Sequence, residues 1–586
     1  MRYLRMLTNA LAGGVLVVLY LLVLVLQLNP QVPVVSLTAW RWFVALITVY
    51  GPYAASVIYF LILVRESLAS RPLSPAWLSV RLMAWLGAAV ATLAAIVTWA
   101  NLRGFRAVLS EAAADRMQEG ATATTIFAGV LFTVAVLRYS FGRRGSSATA
   151  GLLVASIVLS VAVPLWLRGP VEPPVPTARR ARIERLGSPP APPPRVRLLL
   201  VDGASLGFIR QRVAGGQLPN FGRLLDSGAT IDLATVKPTH AIPVWAAAAT
   251  GKYPPKNGVR SDALYKVRPD DDDPVDLLPD YCFARALVQL GFVTPEPLTS
   301  ASLGSRPLWD IVADYGFASG IVAWPMTSPA RAARGYVISD AFDDAASSPF
   351  RLADAKAGDP TSAVDIAREV FDQWQARTWS DILPTFSLQE TDAAARWDHA
   401  YSEAAALLEQ HYAPRLTAIR YEGLDVYGHK YLPDAEPERF GIRREDPRGS
   451  PLDRYYAYLD GEIGRAIALQ EDGDLLLVVA GFGMEPSPPP KRAIMWLLGL
   501  SDPPGTHEPA PDGFLLAYGT HVAHGSFDRG SIVDIAPTVL YYMGLDIGRD
   551  MAGFARTDLF LRTYTLDRPV KYISTHETGE EVRRTQ

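Results

Sequence analysis

The chain of 586 residues has a single cysteine, Cys282, and no excess of basic residues. One cysteine excludes an intrachain disulfide and also a zinc site built from several thiolates. The net charge of −3 leaves no basic surface of the kind that neutralises nucleic-acid phosphates, so we expect no nucleic-acid partner. The length exceeds what one hydrophobic core normally supports, which indicates at least two domains.

Charge is also scarce in the first third, which consists largely of long apolar runs. Five runs of roughly 17 to 23 residues are long enough to span a hydrocarbon core of about 30 Å. They cover 7–28, 42–64, 82–100, 121–137 and 148–167. No small-residue cleavage site follows the first run, so we expect it to persist as a membrane helix. None of the runs carries an acid, lysine or histidine, which favours a membrane anchor over a transport path.

The arginines near these runs predict the orientation in the membrane. They cluster before the first run, between the second and third, and between the fourth and fifth: Arg2, Arg5, Arg65, Arg71, Arg81, Arg138, Arg143 and Arg144. Cytoplasmic loops carry such an excess. The third loop has three arginines as well, but three acids accompany them. With five spans, the rest of the chain is then extracytoplasmic, in the periplasm or on the outer face of the plasma membrane.

Composition divides the chain into four parts. We predict an α-helical transmembrane domain over 1–168, a proline-rich linker over 169–195, a soluble domain over 196–565 and a tail over 566–586. The soluble domain starts with VRLLLVDGAS, an apolar run too short for a helix that ends at Asp202. Because ligands bind beyond the carboxyl ends of strands in α/β sheets, Asp202 is a candidate site residue.

Three later segments repeat a known series of motifs. The first is VKPTHAIPVWAAAATGKYPPKNGV, which fits one motif of this series at Pro238, Thr239, Trp245, Thr250, Gly251, Pro254 and Gly258. Asp425 and His429 lie in AIRYEGLDVYGHKY, which fits a Y-x-x-G-x-D-x-x-x-H element, and His507 lies in GTHEPAPDG. Aspartate and histidine four residues apart can bind one metal ion from a single helical turn.

The series resembles the type I phosphodiesterase and nucleotide pyrophosphatase branch of the alkaline phosphatase superfamily. The resemblance covers about 200–260 and 415–560. It implies an α/β domain whose central, mostly parallel sheet has helices on both faces. The intervening stretch, about 260–415, matches no motif, and we interpret it as an insertion that caps the site.

The resemblance also implies two zinc ions and a threonine or serine nucleophile, and here the sequence departs from the family. The nucleophile position holds Ala241, and a strand-end aspartate and histidine are replaced by Gly481 and Phe482. Asn257 replaces a further histidine of the family pattern. Four implied metal ligands remain, of which three belong to one zinc site and Asp202 alone to the other: Asp202, Asp425, His429 and His507. We therefore expect one zinc ion at most.

Three functions remain open at this stage. The first is a pseudoenzyme, anchored in the bilayer, that binds a phosphorylated or glycan ligand or a protein partner in the cell envelope. The second is a phosphoester hydrolase or transferase in which one zinc ion activates water directly. The third is a structural role without a ligand.

Overall fold

The computed structural model describes residues 1–68, 76–140, 147–173, 175, 193–268, 273–280, 284–332, 334–342, 357–375, 393–441, 450–497, 503–507 and 511–577. The chain divides into two compact units. The first contains Met1–Pro174 and Ala263–Pro297, and the second contains Val175–Asp262 and Leu298–Gln586. Cys282 and the central part of the predicted linker lie outside the described residues.

The first unit is built on five long helices: α1 Arg2–Leu28, α2 Leu37–Leu68, α3 Val80–Phe105, α4 Glu111–Ser140 and α5 Ser147–Leu167. All five contain stretches long and apolar enough to cross a membrane, which confirms the prediction. Helices α1 and α2 cross closely, since a side chain on Gly14 would collide with the backbone of Gly51. Tyr20 and Ser160 share a buried hydrogen bond of 2.6 Å between α1 and α5.

A second part of this unit is the excursion, defined as Ala263–Pro297. It holds a hairpin of Ala263–Lys266 and Thr294–Pro297 and the short helix Ala284–Gln289. Two amide side chains bind it to the helices. The side chain of Asn29 accepts hydrogen bonds from the backbone N–H groups of Asp276 and Leu277 and donates to the Leu277 carbonyl. Asn101 makes the equivalent pair with Asp280.

The second unit is an α/β domain around a ten-stranded sheet. Its strands are β1 Val196–Val201, β2 Ala229–Ala234, β3 Ser319–Val322, β4 Gly335–Ile338, β5 Gly358–Asp359, β6 Leu416–Tyr421, β7 Leu475–Phe482, β8 Asp512–Tyr518, β9 Gly525–Ser526 and β10 Gly530–Ser531. The order is β9–β2–β8–β7–β1–β6–β3–β4–β5, with β10 beside β2. Strands β7, β1, β6, β3 and β4 are parallel, whereas β8 is antiparallel to both its neighbours. This confirms the predicted fold class.

Helices surround this sheet. The helix of the excursion, Ala284–Gln289, is α10 and belongs to the first unit. The helices of the second unit are α6 Leu206–Ala214, α7 Pro219–Ser227, α8 Ala241–Thr250, α9 Pro254–Asn257, α11 Leu308–Asp314, α12 Thr361–Gln375, α13 Ala393–Tyr412, α14 Gly423–Ala435, α15 Pro451–Ala468, α16 Pro489–Leu497, α17 Ile535–Tyr542 and α18 Arg562–Leu566. Single 3₁₀ turns cover Ser300–Ser302, Pro437–Phe440, Ile532–Asp534 and Thr557–Leu559. Two small ladders pair Glu485–Pro486 with Gly505–Thr506 and Ile547–Gly548 with Tyr572–Ile573.

The central strands place their carboxyl ends side by side. In register, β1 pairs with β6 from Val196↔Leu416 to Val201↔Tyr421, and with β7 on its other edge. Because both faces of β1 are covered, its sequence VRLLLV is apolar except for Arg197, rather than alternating. The loops after β1, β6 and β7 therefore meet at one edge, where the motif residues lie.

The stretch 260–415 differs from the predicted cap. Its first part is the excursion of the first unit. Its later part supplies β3, β4 and β5, which extend the sheet beyond β6, with Ser319 opposite Leu416 in parallel register. Strands of four residues or fewer are too short for a periodic hydrophobic pattern, which is why the sequence did not reveal them.

A tertiary hydrogen-bonded cap ties the start of α7 to α15. The N-cap residue Leu218 supplies no side-chain acceptor. The buried carboxylate of Asp460 instead accepts from the backbone N–H groups of Asn220, at 3.2 Å, and Phe221, at 2.8 Å. A carboxylate at a helix N-terminus satisfies donors that the helix itself cannot.

We predict that Asp460→Ala lowers the free energy of unfolding by about 2–4 kcal/mol, because it leaves these buried N–H groups without an acceptor. The measurement is chemical denaturation of the full chain in detergent. The matched control is Asp365→Ala on α12, whose carboxylate is exposed, with an expected change within about 0.5 kcal/mol. Equal effects of the two substitutions would contradict the role of Asp460.

Candidate metal centre

Helix α14 presents Asp425 and His429 on one face. The helix begins at Gly423, directly after β6, so Asp425 lies in its first turn and His429 one turn later. The distance between His429 Nε2 and Asp425 Oδ2 is 3.6 Å. Gly203, at φ +71°, follows Asp202 and lets the loop after β1 approach the Asp425 backbone, because a side chain there would meet Asp425 Cα at 3.0 Å. The two strand ends thus position the first carboxylate ligand.

The third member, His507, follows the short ladder at Gly505–Thr506. Its Nε2 atom lies 3.8 Å from Asp425 Oδ1, and its ring centroid is 5.1 Å from that of His429. Gly505 packs directly on α14, since a side chain at this position would collide with the Gly428 carbonyl. Three residues that are far apart in sequence therefore converge on one point.

Backbone carbonyls fix the tautomer of both histidines. Nδ1 of His429 donates to the Gly505 carbonyl at 2.7 Å, and Nδ1 of His507 donates to the Thr239 carbonyl at 2.8 Å. Each bond places the ring proton on Nδ1 and leaves the Nε2 lone pair directed at Asp425, as in metal sites. Burial lowers the pKa of His507, although Asp425 opposes that shift, so the ring is neutral at pH 7.

The donor set fits a metal ion. Two ligands about 2 Å from a tetrahedral ion lie about 3.3 Å apart, close to the separations of both histidines from Asp425. At 3.6 and 3.8 Å these contacts are too long for hydrogen bonds. Asp425 Oδ1 is buried without a hydrogen-bond partner, which is costly unless a cation completes its coordination. One carboxylate oxygen and two imidazoles form a set that binds zinc and similar divalent ions.

A buried aspartate holds the start of α14 in place. Asp398 on α13 accepts hydrogen bonds from the backbone N–H groups of Glu422 and Gly423, at 3.1 and 2.8 Å, and from the Tyr455 hydroxyl. Burial raises the pKa of Asp398 to about 7, while these three donors oppose the rise. Asp398 is therefore a positioning residue for Asp425, two residues beyond Gly423.

Asp202, the fourth predicted ligand, has other partners. It is fully buried, and its Oδ1 atom accepts from the Trp245 indole at 2.6 Å. Its Oδ2 atom accepts from the Arg420 guanidinium at 2.6 and 3.0 Å. Burial raises the pKa of Asp202 to about 6, with Arg420 opposing, so the carboxylate is ionised at pH 7. Burial lowers the pKa of Arg420, but the charges of Asp202 and Glu422 outweigh this effect and raise it.

The structure thus does not group Asp202 with the other three ligands. Beside this carboxylate, the guanidinium of Arg420 supplies the positive charge that a metal ion would supply.

The other positions of this second site are filled by apolar atoms. Ala241 is the first residue of α8 and offers no hydroxyl. Any side chain on Gly481 would collide with Val244, and the Trp245 indole lies just beyond. Phe482 is fully buried with its ring centroid 5.0 Å from that of His507. Val244 of α8 therefore occupies the space that a ligand side chain at position 481 would need.

The polar residues near this position are buried or have structural partners. Thr239 is fully buried, and its hydroxyl has no hydrogen-bond partner. Asn257 closes its own turn through bonds to the Lys252 carbonyl and the Val259 N–H. Lys252 is buried in ion pairs with Asp550, at 2.6 Å, and Glu577, at 2.9 Å.

The type I phosphodiesterase / nucleotide pyrophosphatase family profile matches residues 196–503, more than half of the chain. The chain belongs to this family. Its second unit is accordingly a phosphodiesterase/pyrophosphatase-like domain of the alkaline phosphatase superfamily, and it follows N-terminal helices that can span a membrane. The matched range includes residues 260–415, in which the sequence analysis identified no motif of the family.

Two solved structures are similar to the chain. They are murine and human ectonucleotide pyrophosphatase / phosphodiesterase 5, each 12% identical with a TM-score of 0.36. The murine protein aligns over 63% of this chain and 100% of its own, and the human protein over 62% and 99%. No curated protein matches the chain significantly in sequence.

Three features of the site were missed at the sequence level. Arg420 is the only charged residue in the strand LTAIRY, a signal that a partner was required, but its pairing with Asp202 depends on which strands are neighbours. Asp398 comes from a stretch without motifs. His240 contacts Asp262, with 2.8 Å between Nδ1 and Oδ2, and its ring centroid is 6.3 Å from that of His507.

A double-mutant cycle tests the buried ion pair. Asp202→Asn leaves the Arg420 charge buried without its counter-ion, and Arg420→Met does the same to Asp202, so we expect each to cost about 3–5 kcal/mol in unfolding free energy. The double variant should cost clearly less than the sum, because neither charge is left behind. Chemical denaturation of the full chain measures the unfolding free energy of the wild type, the two single variants and the double variant. Strict additivity would contradict the pairing.

Proposed function

We propose that this protein is a membrane-anchored, extracytoplasmic member of the family that binds a phosphorylated ligand at one zinc ion and no longer transfers phosphoryl groups. The observation that carries the proposal is the asymmetry between the two metal positions. Asp425, His429 and His507 keep a pre-oriented three-ligand set. The position beside Asp202 contains a guanidinium.

Loss of catalysis follows from the family's chemistry. The family mechanism needs a hydroxyl nucleophile and a second ion that lowers the pKa of that hydroxyl. Ala241 supplies no hydroxyl. The Arg420 guanidinium cannot coordinate a hydroxyl oxygen as a metal ion does. Recognition survives because a three-ligand zinc site keeps an open coordination position, which a phosphate oxygen can occupy. The arginine distribution and the five spans support the extracytoplasmic location.

A second candidate, direct hydrolysis by water, is favoured by one observation. The contact between His240 and Asp262 is a histidine–carboxylate pair of the kind that orients a general base. In this function His240 would take a proton from water beside the bound phosphoester, and bound zinc would supply positive charge for the phosphate oxygens. No covalent intermediate forms, which is consistent with Ala241.

Ligand binding and turnover distinguish these candidates. The full chain, stripped of metal and then supplied with zinc, should bind AMP or inorganic phosphate in calorimetry. His429→Ala should weaken this binding at least about tenfold, because it removes one of three ligands. His411→Ala, at an exposed position of α13, is the matched control and should bind like the wild type. No hydrolysis of a nitrophenyl phosphodiester is expected.

Restoring the nucleophile gives a sharper test. Ala241→Thr should also show no turnover, because Arg420 still excludes the second ion. Turnover in the wild type that is lost in His429→Ala would overturn the binding function. If that turnover were also lost in His240→Ala but kept in His411→Ala, it would establish hydrolysis by water.

A further inference from the structure

The excursion has a buried apolar face. Val275, Leu278, Leu287 and Val293 are buried in one hydrophobic cluster with residues of α1 and α2, including Trp42. Together with the backbone bonds to Asn29 and Asn101, this contact fixes the excursion at the end of the helix bundle where α1 and α3 finish and α2 starts.

The same short segment also exposes two large apolar side chains. Leu290 and Phe292 follow α10 directly, and their exposed fractions are 60% and 40%. They lie between the buried Leu287 and Val293, so the segment is apolar on two sides. Exposure of the Leu290 and Phe292 side chains to water is unfavourable. Because these side chains lie next to an apolar helix bundle, they indicate contact with a surface other than water.

Aromatic residues mark the level of this end of the bundle. Trp40 lies in the first turn of α2, Trp99 near the end of α3 and Trp166 near the end of α5, and all three side chains are exposed. Tryptophan is enriched where membrane helices pass from hydrocarbon to headgroups. Since Asn101, two residues beyond Trp99, holds Asp280, the excursion lies at the depth of this belt.

We propose that the excursion is an interfacial membrane element whose Leu290 and Phe292 side chains insert among the lipid headgroups and upper acyl chains. The occupant is lipid rather than protein, because two side chains offer far less than the roughly 1,000 Å² that a specific protein interface requires. Helix α10 packs on α2 within the same unit, so the bilayer that surrounds α2 continues onto this patch. The proposal does not depend on the metal centre.

Site-specific fluorescence in a bilayer tests the insertion. The full chain carrying Cys282→Ser and Phe292→Cys is labelled with nitrobenzoxadiazole and placed in nanodiscs of phosphatidylcholine and phosphatidylglycerol. Lipids with a nitroxide near the headgroup should quench the label at least about twofold, whereas aqueous iodide should have little effect. Leu290→Cys gives a second, independent position if the first variant folds poorly.

Two control positions calibrate the measurement. Leu93→Cys on α3 is exposed within the span and should respond to lipid nitroxide, and Phe554→Cys in the second unit, also apolar and exposed, should respond to iodide. A label at position 292 that iodide quenches and lipid nitroxide does not would overturn the proposal. A label protected from both quenchers, with disulfide cross-linking between unlabelled copies through the introduced cysteine, would also overturn it in favour of a contact between chains.

Discussion

The ion pair between Arg420 and Asp202 determines what this site can do. It joins the ends of the neighbouring strands β6 and β1 in the middle of the sheet, and both side chains are almost completely buried. A buried carboxylate must be paired, and in this chain a guanidinium from the adjacent strand fulfils that need. Asp202 is thereby retained although its role as a metal ligand has no support from the geometry. The Trp245 indole donates a further hydrogen bond to Asp202, and Val244 packs against Gly481.

The other half of the site, made by Asp425, His429 and His507, keeps its ligand residues in position. His429 and His507 are each oriented by a backbone carbonyl, and Asp398 fixes the helix start that carries Asp425. These contacts hold ligands in place before an ion arrives, so binding requires little further ordering. The buried, unpartnered oxygen of Asp425 is difficult to explain in a site that never holds a cation. One half of the family's two-metal centre thus contains a guanidinium, and the other half keeps three residues that could hold a metal ion.

Sequence motifs identified most of the candidate site residues but few of the hydrogen bonds and packing contacts between them. The spans, the fold class and the three convergent residues Asp425, His429 and His507 could all be predicted, because each depends on a local pattern. The partners of Asp202 could not, since they depend on strand order and on a helix that packs across the site. The stretch 260–415, predicted to be a cap, instead contains strands of the sheet and the excursion of the first unit. The sequence did not reveal these strands, because strands as short as β3 and β4 leave no periodic signal.

The central claim is that one metal position is kept and the other is replaced by Arg420. The most direct test is anomalous diffraction at the zinc edge from crystals of the zinc-loaded full chain. The account predicts one anomalous peak, bounded by Asp425, His429 and His507, with the Arg420 guanidinium still on Asp202. A second peak beside Asp202, with Arg420 displaced, would contradict it.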